Sequence, residues 1–429
     1  MHNNNVSSVK IPTHFESFFP GIPPDASHIY NLAGSSVALF LALRQGPFIA
    51  VEETEEAALR LYEDIQFFLD VMHVTKNVFF LPEPNGPEAS GKRTDVVHRI
   101  REEDSVVTSI DGMDFPLWLP DDLRRDSLFL AARQEMEREK MESRLRGLGY
   151  KRVSIVMDKG EYSSKGWLID IFPVISEFPV RVEFFGDEIE HIKSFDIGSQ
   201  RSIGKIDNLL VMPIEEPLSG ITINSLVKGK LFLVDSPEGE SRAADDTGFL
   251  SKFDIKGAGH DAGLRSMRGL GIYPNERTSF FDLTDTLKAL SRDTMVVVVS
   301  SSEGQAERVK EILFDGGIVA PVIDRSELPL YEGAVAVTRG RLSSGFFLPG
   351  FLLLTEKEIF GERPLYRAMK KSRVSELLAS IDDIAPGDFV VHRDHGIGRF
   401  VGLQKESSGG YESDLIAIEY SGSDRLYIP

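Results

Sequence analysis

The sequence predicts a multidomain α/β protein, and three observations carry that prediction. Its 429 residues exceed what one hydrophobic core accommodates, so two to four domains are expected. Short apolar runs alternate with amphipathic helical stretches near the N-terminus and again near residue 300, the texture of α/β layers. Between them, residues 151 to about 212 change to closely spaced strands and turns, the texture of a β-rich insertion.

The first layer is predicted from "HIYNLAGSSVALFLALRQGPFIAVEE", His28 to Glu53. A polar loop, Asn31 to Ser36, opens an apolar helix over Val37 to Leu43, and a Gly-Pro break precedes the strand "FIAV". In "TEEAALRLYEDIQFFLDVM" the positions Leu59, Ile65, Phe68, Leu69 and Met72 recur at helical spacing behind Thr54 as N-cap. The strand "NVFFLP" follows, and residues 1–125 make the first part of an α/β domain. Asp126 to Arg146 is predicted as one charged helix, ended by Gly147 and Gly149; with the strands after it, it forms an inserted α+β domain, 126–212. Residues 213–275 bring the second part of the first domain, with "VKGKLFLVDS" as its clearest strand and "AADDTGFLSKFDIKGAGHDAG" as a mobile connector. A small α/β domain, 276–365, is predicted from "TMVVVVSS", "EGQAERVKEILFDGG", "AVAVTRG" and "FLLLTEKEIF" as strand, helix, strand, strand. Residues 366–385 form a basic helical linker. Residues 386–429 are all-β in texture and stop on a strand, as a truncated domain would.

Composition narrows the function classes. Hydrophobic content is 41% and charged content 27%, ordinary for a globular protein. No apolar run approaches the ~18 residues that span a bilayer, and no signal segment opens the chain, so no membrane partner is expected. There are no cysteines, which excludes disulfides and thiolate chemistry and fits a cytoplasmic location. A net charge of −19 repels nucleic-acid phosphate on average. The basic stretches Arg138–Arg152 and Lys370–Arg373 read as solvated helix faces.

Catalytic motifs are degenerate. A phosphate loop needs G-x-x-x-x-G-K-[ST], with the lysine reaching the β/γ-phosphates and the hydroxyl holding Mg²⁺. "NLAGSSVALF" supplies Gly34, Ser35 and Ser36 but no lysine before Gln45. "GPEASGK", Gly86 to Lys92, matches the first part of the string, but Arg93 stands where Ser or Thr is required, and Pro87 removes an amide donor. It reads as a turn ahead of the helix "RTDVVHRIREE". His392, Asp394 and His395 in "HRDHGIG" fall in a glycine turn with no third histidine nearby, so structural roles are expected for them. The acidic pairs in "DEIE" and "EEDS" read as solvated faces. No catalytic and no metal residue is assigned.

One strand stands out. In "PVRVEFFGDE" the period-2 alternation puts Val180, Val182 and Phe184 on one face and Arg181, Glu183 and Phe185 on the other. If the valine face packs inward, Phe185 stands exposed among charges, the composition of a binding hot spot; a strand buried on both faces, or Phe185 covered by another domain, is the alternative.

At these residues the sequence resembles a known family. "GLGYKRVSIVMDKGEYSSKGWLIDIFPVISEFPVRVEFFGDEIEHIKSFDIGSQRS" resembles the module shared by the excision-repair protein UvrB and the transcription-repair coupling factors. "GDFVVHRDHGIGRFVGL" with "DLIAIEYSGSDRLYIP" resembles the RNA-polymerase-interacting domain shared by those factors and the CarD-type regulators. The two in this order point to the N-terminal portion of a transcription-repair coupling factor. The resemblance implies a degenerate UvrB-like α/β layer, helicase-like and derived from P-loop folds, and a truncated C-terminal Tudor-like β domain. It places the relic of the phosphate loop at Gly34, Ser35 and Ser36. It implies a UvrA-binding surface at Lys165, Arg181 and Phe185, where Lys165 replaces the arginine of familiar members. It further implies a strand, Leu415, Ile416, Ala417, Ile418, Glu419 and Tyr420, that pairs edge to edge with the RNA polymerase β subunit. The family couples transcription to nucleotide-excision repair, displacing stalled polymerase by ATP-driven translocation and recruiting UvrA. ATP, Mg²⁺ and most contact with double-stranded DNA belong to motor domains that cannot be read here; no cofactor is expected in this chain. Two rival readings remain at this point: a UvrB-like ATP-dependent damage-verification subunit, and a CarD-type transcription regulator.

Overall fold

A computed structural model describes residues 18–217, 220–235, 247–252, 259–264, 280–328, 333–360, 387, 389–392, 396–408, 411–419 and 425–428. The chain divides into two compact units, Met1–Pro364 and Leu365–Pro429.

In the first unit, β1 (His28–Tyr30) leads through a tight loop into α1 (Ser36–Leu43). This helix is apolar all round, and Ser36 to Ala42 are all buried, the only stable setting for such a sequence in water. β2 (Phe48–Glu52) is buried along its whole length. α2 (Glu55–Val71) starts where expected, the Thr54 hydroxyl accepting from the Ala57 N–H at 3.2 Å. Ile65, Phe68, Leu69 and Met72 are buried as the spacing predicts, but Leu59 is 40% exposed. The buried stripe begins instead at Ala58 and Leu61. β3 (Val78–Leu81), α3 (Gly86–Arg99), β4 (Ser105–Ser109) and two short helices, α4 (Ile110–Asp114) and α5 (Pro120–Asp126), follow.

The charged helix expected over 126–146 is broken in two. Its first part is β5 (Leu128–Ala131), and only Arg138–Gly147 is helical, as α6. The "LFLA" run alternates, with Leu128 and Leu130 buried and Phe129 exposed, and Arg133 takes φ 68°, which no α-helix accommodates. The insertion then adds β6 (Lys151–Arg152), β7 (Glu161–Lys165), β8 (Leu168–Ile171), β9 (Val180–Phe185), β10 (Glu188–Phe195), β11 (Ser202–Ile206) and β12 (Asn208–Val211). A six-stranded sheet runs β11-β10-β9-β8-β7-β6, while β12 pairs with β5. Met141 and Leu145 of α6 close the core against Tyr162, Ile169, Val182 and Ile192.

The chain returns to the first layer with β13 (Lys230–Val234), β14 (Gly248–Leu250) and β15 (His260–Asp261). These complete a seven-stranded sheet, β15-β1-β14-β13-β2-β4-β3, in which every pairing is parallel. The segment expected to be a mobile connector therefore contributes two strands; "GFL" is a short apolar run that the glycine- and aspartate-rich flanks conceal. Next come α7 (Phe280–Leu290), β16 (Met295–Ser300), α8 (Glu303–Asp315), β17 (Val335–Arg339), β18 (Phe346–Leu348), β19 (Phe351–Thr355) and α9 (Glu356–Phe360). They form a second sheet, β17-β16-β19-β18. Period-2 alternation along β16 divides its valines between two cores. Val297 and Val299 join Phe40 and Phe68 beneath the first sheet, while Val296 and Val298 pack on Val309 and Leu313 of α8.

The second unit is an antiparallel sheet of β20 (Phe389–His392), β21 (Gly396–Ser408), β22 (Tyr411–Glu419) and β23 (Arg425–Ile428), in that order. His392 is the last residue of β20; Asp394, His395 and the linker 366–385 lie outside the described residues. Among the described residues no helix is long and apolar enough to cross a membrane.

Candidate functional site

The loop after β1 leads into the N-terminus of α1, and that terminus is occupied from within the protein. Gly34 takes φ +59°, and a Cβ there would stand 2.1 Å from the carbonyl oxygen of Gly345, so both conformation and space require glycine. Neither serine caps α1 through its side chain. Instead the Ser35 hydroxyl donates to the Ser344 carbonyl at 2.8 Å, and the Ser35 N–H donates to the same oxygen at 3.3 Å. A main-chain carbonyl from the second sheet's loop thus lies where the N-terminus of a helix would attract an anion. The Ser343 N–H donates to Asp64 Oδ1 at 2.8 Å and its hydroxyl donates to Oδ2. Burial pushes the Asp64 carboxyl up to about 7, against the lowering effect of these Ser343 bonds.

The cleft beside this loop is lined by Glu52, Arg60, Asp64, Lys252, Ser344 and Lys357 among others and has a volume of about 190 Å³, below the ~300–1,000 Å³ of ordinary small-molecule sites. Burial pushes the Glu52 carboxyl up to about 7, with Lys252 acting against it. Lys252 Nζ lies 3.0 Å from Asp235 and 3.8 Å from Glu52. With the loop filled, the cleft small and no lysine in the loop, the residues present do not fit a nucleotide and its Mg²⁺.

The second phosphate-loop string has a structural explanation. "GPEASGK" is the first half of α3, not a turn before it. A Cβ on Gly91 would stand 2.4 Å from Val174 Cβ, so this glycine lets the insertion pack against the helix. Arg93 is fully buried. Its guanidinium donates to the carbonyls of Pro82 at 2.7 Å, Gly112 at 3.0 Å and Phe115 at 3.0 Å, and Nε lies 3.0 Å from Glu216. It ties four segments of the first unit together.

On the insertion, the alternation along β9 holds residue by residue. Val180, Val182 and Phe184 are buried and Phe185 is 78% exposed, at the tip where Gly186 and Asp187 turn the chain into β10. Arg181 is on the same outer face but is already engaged. It grips Asp170 through Nε at 2.7 Å and Nη2 at 2.9 Å, and its guanidinium lies 4.7 Å from the Phe195 ring centroid. Lys193 and Glu183 pair beside it at 2.7 Å. Cross-strand register puts Lys165 opposite Leu168 and Leu168 opposite Glu183, so Lys165 belongs to the same face, exposed at the β7–β8 tip. Lys165 and Phe185 thus stand at one end of the sheet, and Arg181 lies four residues down the strand from Phe185. Asp170 was missed in the sequence, although parity on β8 pairs it with Arg181. Trp167, in the two-residue turn between β7 and β8, is 59% exposed.

The families match in this order along the chain. The UvrB interaction domain matches residues 128–216, and the CarD-like/TRCF RID domain matches residues 384–429. The transcription-repair-coupling factor of Myxococcus xanthus is 24% identical over 90% of this chain and 43% of the relative. This chain is thus similar to the N-terminal portion of the transcription-repair-coupling factors. That of Bacillus subtilis is 25% identical over 80% of the chain and 38% of the relative, and one from Staphylococcus aureus is 24% identical over 69% and 34%. The chain spans less than half the length of these relatives.

In the segment matched to the RID domain, the strand expected to offer a free edge is interior. Ile416, Ala417, Ile418 and Glu419 pair with β21 on one side and with β23 on the other, because "RLYI" returns as a further antiparallel strand. Ala417 and Ile418 are buried. Leu415 pairs with Gln404 and lies beyond the last rung to β23; Tyr420 is outside the described residues. Among the described residues, the unpaired edges lie on β20, on β23 and along the outer part of the β21–β22 hairpin.

Proposed function

We propose that this chain is the adaptor portion of a cytoplasmic transcription-repair-coupling factor: it recruits UvrA through the insertion and tethers RNA polymerase through the second unit. The observation that carries the reading is Phe185, 78% exposed at the tip of a rigid sheet inside the matched UvrB interaction domain. A large aromatic on a preorganised strand, flanked by the Lys165 charge, has the character of an interface anchor. Arg181 acts on this reading mainly by holding the face in shape, since Asp170 takes two of its donors. Polymerase contact through Leu415 to Tyr420 then relies on side chains or on the hairpin edge next to Leu415, and not on main-chain pairing at 416–419. Hydrolysis of ATP, translocation on double-stranded DNA and displacement of polymerase belong, on this reading, to the rest of a full-length family protein; the filled loop at Gly34 supports a scaffolding role for the first sheet.

Calorimetric titration with purified UvrA tests the proposal. Phe185→Ala should weaken binding by at least ~1–2 kcal/mol, as truncating a hot spot does. Unchanged affinity would remove Phe185 from the interface, and ATP turnover by this chain alone would revive an enzymatic reading.

A further inference from the structure

The basic stretch Arg138–Arg152 is not one solvated helix face. Three of its arginines, two from α6 and one from β6, gather around a single carboxylate. Glu142 is buried, and its Oε1 accepts from the Ser164 hydroxyl of β7 at 2.7 Å. Arg146 Nη1 and Arg152 Nη1 each lie 3.8 Å from its other oxygen, Oε2, and Arg138 Nε lies 4.0 Å from Oε1. The spacing puts Arg138, Glu142 and Arg146 on one face of α6, and the pairing of β6 with β7 brings Arg152 alongside Tyr162.

These distances differ from those of a closed ion pair. Arg181 and Asp170, in the same sheet, meet at 2.7 and 2.9 Å through two donors, the fork geometry that fills both partners. Around Glu142 no guanidinium comes within hydrogen-bond distance, and one negative charge faces three positive ones. Arg138 is otherwise engaged, donating to the Gly166 carbonyl and pairing with Glu139. Arg146 reaches only the Tyr162 hydroxyl, at 3.4 Å, and Arg152 has no other side-chain partner among the described residues. Both side chains are more than half exposed. Two like charges this close repel each other. The buried carboxylate between them holds the pair together and leaves most of their donors unfilled.

We propose that Arg146 and Arg152 form an anion-binding site for an acidic segment of a protein partner, with Glu142 as the post that positions them. A carboxylate of the partner accepts from both arginines, one oxygen to each guanidinium, and adds the negative charge that the cluster lacks. An acidic peptide fits better than nucleic acid. Ile155, 52% exposed three residues beyond Arg152, offers an apolar contact near the charges, as a protein interface does. Glu139 and Glu161, the latter opposite Lys151, interrupt the basic surface, so it does not follow a run of phosphates. The site lies at the β6 edge of the sheet, three strands from β9, and does not rest on the recruitment reading.

Fluorescence anisotropy of the full chain with a fluorescein-labelled hexaglutamate peptide at low salt tests the proposal. The unsubstituted chain should bind the peptide, and Arg146→Gln combined with Arg152→Gln should weaken binding at least about tenfold. Arg146→Lys with Arg152→Lys, which keeps the charge and loses the fork, should fall between. Arg124→Gln removes an exposed arginine from α5 and should leave the affinity within about twofold of the parent. Circular dichroism checks that each variant is folded. In the unsubstituted chain the peptide should shift the Nε–Hε resonances of Arg146 and Arg152, assigned with the single variants, and not that of Arg124. No binding by the parent, equal losses in Arg124→Gln and the double variant, or unmoved Arg146 and Arg152 resonances would overturn the proposal. Tighter binding of a labelled hexathymidylate, lost in the double variant, would overturn it in favour of nucleic acid.

Discussion

Replacing Asp64 with asparagine should stabilise the protein, and more so as pH rises. Asp64 is buried, and both its carboxylate oxygens meet Ser343. Burial raises its carboxyl from an ordinary 3.8 to about 7, so the folded protein binds this proton more tightly than the unfolded chain. The stabilisation from protonated Asp64 is therefore complete below about pH 4 and is lost as pH rises through about 7. At ~1.4 kcal/mol per pH unit, the whole effect is at most about 4 kcal/mol. Asparagine keeps both contacts, accepting the Ser343 N–H and donating to its hydroxyl, but carries no charge to desolvate. The advantage of Asp64→Asn over the parent should widen by about 2 kcal/mol between about pH 5.5 and pH 8. Glu52, also raised to about 7 by burial, changes stability with the same sign but is present in both proteins and cancels in the difference. Urea midpoints by circular dichroism across this range measure the gap, and exchange of the Ser343 amide shows whether the contact persists. A gap that does not change with pH, or a variant weaker than the parent at pH 8, would mean that the carboxylate is ionised and that Ser343 holds it as an anion.

Other perturbations probe the remaining contacts. Gly34→Ala forces an L-residue into left-handed backbone and against the Gly345 carbonyl; about 1–2 kcal/mol for the conformation plus about 1 for each Ser344 bond lost should appear as faster amide exchange around Ser343 to Gly345. Arg93→Met leaves three carbonyls without their donor and Glu216 without its cation, and should cost about 3 kcal/mol or more in a thermal melt. Arg181→Ala and Asp170→Ala should be non-additive in a double-mutant cycle, with a coupling of about 1–2 kcal/mol from their two-pronged contact; additive losses would mean that the pair is not formed in solution.

Legibility in the sequence followed the range of the interactions. β9 could be read residue by residue, because its alternation is local and one face is filled by a core. α2 could be read for the same reason, down to the Thr54 cap, although Leu59 was misplaced because the stripe that buries Leu61 is set by the neighbouring layers. β5 was hidden because Leu128–Ala131 is too short to declare a period, and its partner lies some 80 residues on, in β12. β14 and β15 were hidden because three- and two-residue strands gain their stability from the sheet they join. Asp170 is one hairpin away from Arg181 and was within reach of strand parity, whereas the Glu216 partner of Arg93 comes from a segment far along the chain, which no local pattern reports. Within the strand Leu415 to Tyr420, residues 416–419 are interior because pairing on the second side depends on how "RLYI" folds back.

The loop at Gly34 shows what a helix N-terminus can hold without a lysine beside it. A phosphate at a helix N-terminus brings full negative charge that a lysine must help to balance. The Ser344 carbonyl brings only a dipole, and the Ser35 amide and hydroxyl satisfy it. What such an occupant demands is glycine at a positive φ, a close approach of backbone to the loop and an apolar helix behind it, and all three are present. The Ser343–Gly345 loop is thus an internal ligand that fastens the second sheet to the first.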